Sequence, residues 1–224
     1  MKFQAKILEK KNLTHDVLYF VLSAPEEFTF QAGQFVTLMM TKNNITKPRS
    51  YSILSPPSKK GAIDLCLKYV DGGFASDIFL NAKVGDEFEA RGPFGHFLFD
   101  AKEQEHWFIG TGTGMVPFYC MLAEHLSQHP GKKFHLFWGL RYKKDIFFEQ
   151  ELKALQKKHP NFSYLITLSQ DDHTYTGRVQ RHLGEDFSCQ TFYICGLKEL
   201  VLETKELLEK KGVSKNRIHF ERYT

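Results

Sequence analysis

No Cys-x-x-Cys pair occurs in this 224-residue chain; its four cysteines, Cys66, Cys120, Cys189 and Cys195, stand well apart. That spacing excludes a zinc ribbon and a plant-type iron–sulfur ligand run. No stretch approaches the roughly 18 consecutive apolar residues of a membrane-spanning helix, and mean hydropathy is -0.36. Residues 1–6 carry no apolar core of the kind a secretion signal needs. The expected location is therefore the cytoplasm, where disulfides are disfavoured. Excess charge of one sign is also scarce: 30 Lys and Arg face 26 Asp and Glu, a formal balance of +4. These charges are interspersed, whereas nucleic-acid binding wants a concentrated basic face. A mild positive balance suits an anionic ligand or an acidic protein partner instead.

What is present is ordinary for a globular chain, with 42% apolar and 25% charged residues, and this excludes disorder and low complexity. The length fits one large domain or two smaller ones. His125 and His129 have helical i,i+4 spacing. No third ligand accompanies them, so they read as surface histidines and no metal is assigned.

The first hundred residues read as six short strands, at 6–10, 17–22, 35–40, 49–54, 63–70 and 86–91, with one helix at 74–81. Short strands at regular spacing with little room for helices predict a small all-β antiparallel barrel. The character then changes. Apolar strands are expected at 106–110, 134–139, 164–168, 191–195 and 217–220. Between them lie amphipathic helices at 116–127, 146–158 and 197–211, and one or two helical turns at 179–183. Near-continuous apolar strands alternating with such helices predict an α/β doubly wound parallel sheet. The expected domains are residues 1–100 and residues 101–224.

Gly110-Thr111-Gly112-Thr113-Gly114-Met115-Val116-Pro117 lies between the first strand of the α/β half and its helix. Glycines there allow a tight turn and close approach of a phosphate, and the helix start adds free N–H donors. Residue 115 is Met where G-x-G-x-x-G needs its third glycine, so this is not the usual dinucleotide fingerprint. Gly139-Leu140-Arg141, Ser169-Gln170, Gly177-Arg178 and Cys195-Gly196 fall at the same carboxyl edge of the sheet, where ligands bind. Two arginines, a hydroxyl and more glycine around one crevice are chemistry for a phosphorylated nucleotide. In the barrel half, strand alternation puts Arg49 and Tyr51 on one face; alone, that reads more readily as a surface arginine on an ordinary strand. Gly72-Gly73-Phe74-Ala75-Ser76, a turn entering a helix, is a second anion site.

Taken in order, Arg49-Ser50-Tyr51-Ser52, Gly73-Phe74-Ala75-Ser76, the Gly110–Pro117 turn and Cys195-Gly196 resemble the ferredoxin–NADP(+) reductase family, with matching order and spacing through to Glu221-Arg222-Tyr223-Thr224. The resemblance implies a barrel that binds FAD and an α/β half that binds NADPH, with NADH possible. Arg49 is similar to the arginine that pairs with the flavin nucleotide phosphate. Ser50 belongs to the same strand, Tyr51 to the isoalloxazine-packing position, and Ser52 to the serine at flavin N5. Gly73, Phe74, Ala75 and Ser76 resemble the pyrophosphate cradle, and Lys68 on the preceding strand would contribute backbone bonds, its side chain solvated. Thr111, Gly112 and Thr113 resemble the turn close to both cofactors, and Cys195 and Gly196 the pair beside the nicotinamide. Ser52, Tyr51 and Cys195 are thus the catalytic candidates. Arg141, Ser169 and Arg178 match the adenosine side; Gln170 replaces a common Arg there, while Arg178 favours NADPH. Tyr223 resembles the C-terminal aromatic shielding the flavin, with a frayed tail as the bland alternative.

The reaction implied is hydride transfer from NADPH to bound FAD, with electrons passed on to a separate one-electron acceptor. Without an iron–sulfur module in the chain, that acceptor would be a ferredoxin, a flavodoxin or an oxygenase component. Lys10, Lys11, Lys42 and Lys47 could steer an acidic partner, though such lysines are more often plain solvated surface. The expected state is a monomer without a membrane span. Rival readings are an NAD(P)H:flavin reductase using free flavin, an NADH-dependent oxygenase reductase component and a non-catalytic binding module. An ordinary alcohol dehydrogenase is disfavoured by the barrel and by Met115.

Overall fold

The computed structural model describes residues 1–223; Thr224 lies outside the described residues. Among the described residues the named strands form two sheets. The first contains β1 (Lys2–Asn12), β2 (Val17–Ser23), β3 (Phe35–Lys42), β4 (Ile45–Ser52), β5 (Ala62–Lys68) and β6 (Glu87–Phe94). It is antiparallel, in the order β4-β3-β6-β1-β2-β5. In β3 the pleat buries Val36, Leu38 and Met40 while Thr37 and Met39 stay partly exposed, which gives the sheet one dry face. The sheet curls until its ends meet: Ile53 bridges Leu65 of β5, and the Leu54 N–H donates to the Asp64 carbonyl at 2.8 Å. Helix α1 (Phe74–Asn81) plugs the barrel with Phe79, which packs on Phe20 and Phe88 at 5.1 and 5.5 Å between ring centroids. The free edge of β4 carries Lys47 and Pro48, a charge and a missing N–H that discourage edge pairing.

The second sheet contains β7 (Glu105–Thr111), β8 (Lys133–Leu140), β9 (Phe162–Leu168), β10 (Gln190–Leu197) and β11 (Ile218–Tyr223). It is parallel, in the order β11-β10-β7-β8-β9. Helices α2 (Val116–His125), α3 (Glu149–Lys158) and α4 (Lys198–Lys210) connect the strands. Phe192, Tyr193, Ile194 and Cys195 of β10 have no exposed surface, as expected for a strand covered on both faces. The chain leaves β7 on one side through β8 and β9, then returns on the other with β10 and β11. The strand order therefore reverses between β7 and β10, and a crevice opens beyond their carboxyl ends.

A single buried cluster runs from the barrel into the α/β half, and the Cys120 thiol of α2 donates to the Ser55 carbonyl at 3.0 Å. No described helix is long and apolar enough to cross a membrane.

Both architectures follow the sequence reading, with local differences. The helix expected from residue 146 starts only at Glu149, because Phe148 adopts a left-handed φ of 55°. Its ring stacks on Tyr119 at 5.5 Å and meets Tyr19 of β2 edge-on at 6.2 Å. Aromatic packing across the two halves outweighs the local helical pattern and the strain of φ > 0. Helix α2 ends at His125 rather than 127, and residues 179–183 make one 3-10 turn, Val179–His182. The strand expected at 49–54 runs instead over Ile45–Ser52, because its pairing with β3 starts at the tight turn at Asn43 and Asn44, both at positive φ.

His125 and His129 both lie against the Phe99 ring, at 4.4 and 5.4 Å. Among the described residues no group of three or more His, Cys, Asp or Glu side chains stands close enough to hold a metal ion. His106, on β7 at the amino ends of the parallel strands, is fully buried in the same aromatic nest. Burial lowers its imidazole to about 4. The unfolded chain therefore binds a proton at His106 near pH 6.5 that the folded chain refuses until about pH 4. Stability from this group falls as pH drops through that window, by about 2 kcal/mol at pH 5. Urea titrations at pH 7 and pH 5 should show His106→Phe losing about 2 kcal/mol less than the parent; equal losses would relocate the pH dependence to other groups.

Candidate active site at the seam of the two halves

The glycine turn is shaped by what it must approach. After β7 the chain makes a 3-10 turn, Gly112–Met115, then enters α2 with Pro117 in its first turn. A Cβ on Gly114 would collide with the Cys195 carbonyl, and one on Gly196 would stand 2.7 Å from the Thr111 hydroxyl oxygen. Gly112 has φ +54° with nothing within 4 Å of its missing Cβ. The turn after β7 and the end of β10 thus abut, and a surface free of side chains faces the crevice. Trp138 Nε1 donates to the Gly112 carbonyl at 2.9 Å and holds the turn in place.

The crevice is a cleft of about 570 Å³. Its walls bring together nine of the candidate cofactor-binding residues, Lys68 from the barrel and Thr111, Gly112, Thr113, Arg141, Ser169, Arg178, Gly196 and Tyr223 from the α/β half, together with Gly139, Leu140 and Gly177 of the same edge motifs. Asp16, Asp145, Glu199 and Glu203 also line it, and the sequence reading assigned none of these four to the site.

Behind the cleft, one hydroxyl joins the two halves. Ser52, at the end of β4 and 7% exposed, donates to a Glu221 carboxylate oxygen at 3.1 Å and shares a hydrogen bond with the Tyr223 hydroxyl at 3.0 Å. Parallel pairing of β10 with β11 sets Glu221 opposite Cys195 and Tyr223 opposite Leu197. The Tyr223 hydroxyl also reaches the buried Cys195 thiol. Desolvation raises the Glu221 carboxyl above the usual range, opposed by the Ser52 hydrogen bond, and it pushes the Cys195 thiol and the Tyr223 phenol well up. The thiol is therefore a protonated group rather than a thiolate. A serine hydroxyl has one proton, so when it donates to Glu221, Tyr223 donates to it. The three groups form a short relay along which one proton can be held or moved. Tyr223 is a strand residue, not a frayed tail. Glu221 had not been singled out; its position two residues before Tyr223 in a strand puts it on the same face, and that is the signal the sequence held.

On the barrel, Arg49, Ser50 and the Gly73–Ser76 turn lie outside the cleft. The Arg49 guanidinium and the Lys47 ammonium sit over the Phe74 ring at 5.9 and 5.0 Å, at the start of α1. Among the described residues neither has a carboxylate partner, and Arg49 Nη1 donates only to the Pro48 carbonyl at 2.8 Å. Two unneutralised cations beside a helix start suit a phosphate. Tyr51 is half-buried and meets Phe79 edge-on at 5.4 Å. The Ser76 hydroxyl accepts the Val70 N–H at 2.9 Å, fixing the turn, and Ala75 is buried beneath it. Ser50 is exposed and shares a hydrogen bond with Thr37 at 3.0 Å.

Several lysines are committed elsewhere. Lys68 is not simply solvated: its Nζ pairs with Asp16 at 2.8 Å. Lys10 donates to the Leu80 and Ala82 carbonyls at the end of α1, Lys42 pairs with Asp77 at 2.5 Å, and Lys11 pairs with Glu9. Of the four lysines considered for steering a partner, Lys47 alone lacks a carboxylate or carbonyl partner among the described residues.

Comparison with known proteins agrees with this geometry. The family model for an oxidoreductase FAD-binding domain matches residues 4–99, and that for an oxidoreductase NAD-binding domain matches residues 108–206. Ferredoxin–NADP reductase B of Sorangium cellulosum is 31% identical over 99% of this chain and 97% of its own length. This chain belongs to the ferredoxin–NADP reductase family. The reductase component of a phenol 2-monooxygenase from Pseudomonas is 32% identical over 75% of the chain, which spans half the length of that relative. Among solved structures, a cytochrome P450 reductase from Amycolatopsis superposes with a TM-score of 0.93 at 26% identity, over the whole of this chain and 70% of the other. A ferredoxin–NADP+ reductase from Neisseria gonorrhoeae with bound FAD and NADP gives 0.90 at 22% identity, over 99% and 98% of the two chains, and bears on the fold. The residues present suit both cofactors: unpaired cations at the start of α1 for a flavin nucleotide phosphate, and bare glycine backbone at the switch point for a nicotinamide nucleotide.

Because the Glu221 pKa is higher in the folded chain than in the unfolded one, this group costs stability as pH rises above the ordinary carboxylate value. Glu221→Gln should therefore match or exceed the parent in Tm at pH 7.5, with the advantage vanishing near pH 4. A lower Tm for the variant at both pH values would show that the carboxylate itself holds the seam together.

Proposed function

We propose that this chain is a flavoprotein reductase that takes hydride from NADPH onto bound FAD and passes the electrons to a separate one-electron acceptor protein, a ferredoxin, a flavodoxin or an oxygenase component. The observation that carries this reading is the junction of the Ser52 hydroxyl, at the end of the Arg49–Ser52 segment of the barrel, with Glu221 and Tyr223 of the α/β half. The matches at 4–99 and 108–206 support dividing the work between residues 1–100 and residues 101–224. The named relatives, a ferredoxin–NADP reductase and an oxygenase reductase component, support a separate protein as acceptor.

Flavin, when bound, accepts two electrons as hydride and releases them singly. The protein binds, orients and excludes water. Arg49, with Lys47 beside it, holds phosphate at the start of α1, and the Gly73–Ser76 turn offers backbone N–H groups. Tyr51, braced by Phe79, and Tyr223, braced by β10, offer flat surfaces. Gly112 and Gly196 leave a bare approach, flanked by the Thr111 and Thr113 hydroxyls. Ser52 presents an exchangeable proton, Glu221 holds the proton reserve behind it, and the neutral Cys195 thiol fills the wall without adding charge. Arg141, Ser169 and Arg178 receive the adenosine side.

A visible spectrum of the purified protein, before and after anaerobic NADPH and then NADH, tests the reading. Bound-flavin bands that bleach on adding nucleotide are the expected result. No bands after incubation with FAD would leave a reductase that uses free flavin as substrate. Tyr51→Ala should weaken flavin retention roughly tenfold; unchanged affinity and spectrum would remove Tyr51 from the ring. Arg178→Ala should raise the KM for NADPH roughly tenfold, well beyond its effect on NADH, and equal effects would mean that Arg178 does not meet the 2′-phosphate.

A further inference from the structure

We propose that Glu203 is a specificity-determining residue that holds down the preference of this cleft for a 2′-phosphorylated nucleotide; this rests on the reductase reading above. Arg178, the cation available for a 2′-phosphate, is already engaged. Its Nη1 donates to both Glu203 carboxylate oxygens, at 2.7 and 2.5 Å, and Gln180 Nε2 approaches the same carboxylate at 3.4 Å. Glu203 stands one turn beyond Glu199 on α4, and both line the cleft.

The charge on the cleft wall points the same way. Lys68, Arg141 and Arg178 face Asp16, Asp145, Glu199 and Glu203. Lys68 is paired with Asp16 and Arg178 with Glu203, which leaves Arg141 as the cleft cation without a carboxylate partner among the described residues. The neighbouring loop carries Gln170, not a second cation, after Ser169. A 2′-phosphate arriving at Arg178 must displace the Glu203 carboxylate and then remain beside a like charge. A free 2′-hydroxyl instead donates to that carboxylate where it stands, as acidic residues do for the ribose of NAD in other nucleotide folds. The same ion pair therefore offsets the gain that Arg178 gives NADPH and keeps NADH competitive. Both side chains are well exposed, Arg178 at 67% and Glu203 at 47%, so screening limits the effect to several-fold.

Calorimetric titration of the flavin-loaded protein with adenosine 2′,5′-bisphosphate and with 5′-AMP isolates the 2′-phosphate. Glu203→Gln should bind the bisphosphate about five- to tenfold tighter at low salt, with the gain shrinking as salt is raised. It should bind 5′-AMP about twofold weaker, because the 2′-hydroxyl loses its carboxylate acceptor. Glu203→Ala should repeat the gain for the bisphosphate. Parallel shifts for the two ligands, or no shift for either, would overturn the role of Glu203 while leaving the reductase reading intact. A parent protein that binds neither ligand would overturn both.

Discussion

The site depends on one close approach, that of the turn after β7 to the end of β10. Only glycine at position 114 lets the turn rest against the Cys195 carbonyl, and only glycine at 196 clears Thr111. With those two surfaces in contact, the bare backbone of Gly112 and Gly196 lines the crevice. Cys195 then fills the wall, and β11, in register with β10, sets Glu221 and Tyr223 beside it. The Ser52 hydroxyl completes the seam by meeting both from the barrel side. A side chain at 114 would push the strand end and the turn apart and carry the relay with them.

The seam also withdraws polar groups from water. Ser52 and Cys195 are buried and Glu221 and Tyr223 half-buried, and the titrating members are shifted toward their protonated forms. A relay whose thiol and phenol stay neutral suits a reaction in which charge arrives as hydride and leaves as electrons, because these two groups add no fixed charge of their own. The outer cleft works differently. Its charges are exposed and mostly paired among themselves, so they act through competition between partners rather than through burial. Under the proposed function, that division separates the chemistry at the seam from nucleotide choice at the rim.

Much of this was legible in the residues. Six short, regularly spaced strands with little room for helices announced a barrel, and near-continuous apolar strands such as β10, alternating with amphipathic helices, announced a parallel sheet covered on both faces. The glycine turn, Arg49, Tyr51, Ser52 and the Gly73–Ser76 segment could be ordered along the chain and assigned by resemblance. Phe148 was misread because its helical neighbourhood is a local signal, whereas its ring answers to Tyr19 and Tyr119, far away in sequence. Lys68 and Lys10 read as solvated for the same reason: their partners, Asp16 and the carbonyls closing α1, are remote in the chain.

The sequence by itself determined the two architectures, the glycine turn and the identity of most groups at the site, since these rest on side-chain periodicity and local backbone freedom. Only the tertiary structure decided the pairings: Ser52 with Glu221 and Tyr223, 169 and 171 residues away, and Arg178 with Glu203. A hydrogen bond or an ion pair depends on separation in space, and residue type records what a group can do without recording which distant partner the fold will bring within hydrogen-bonding reach.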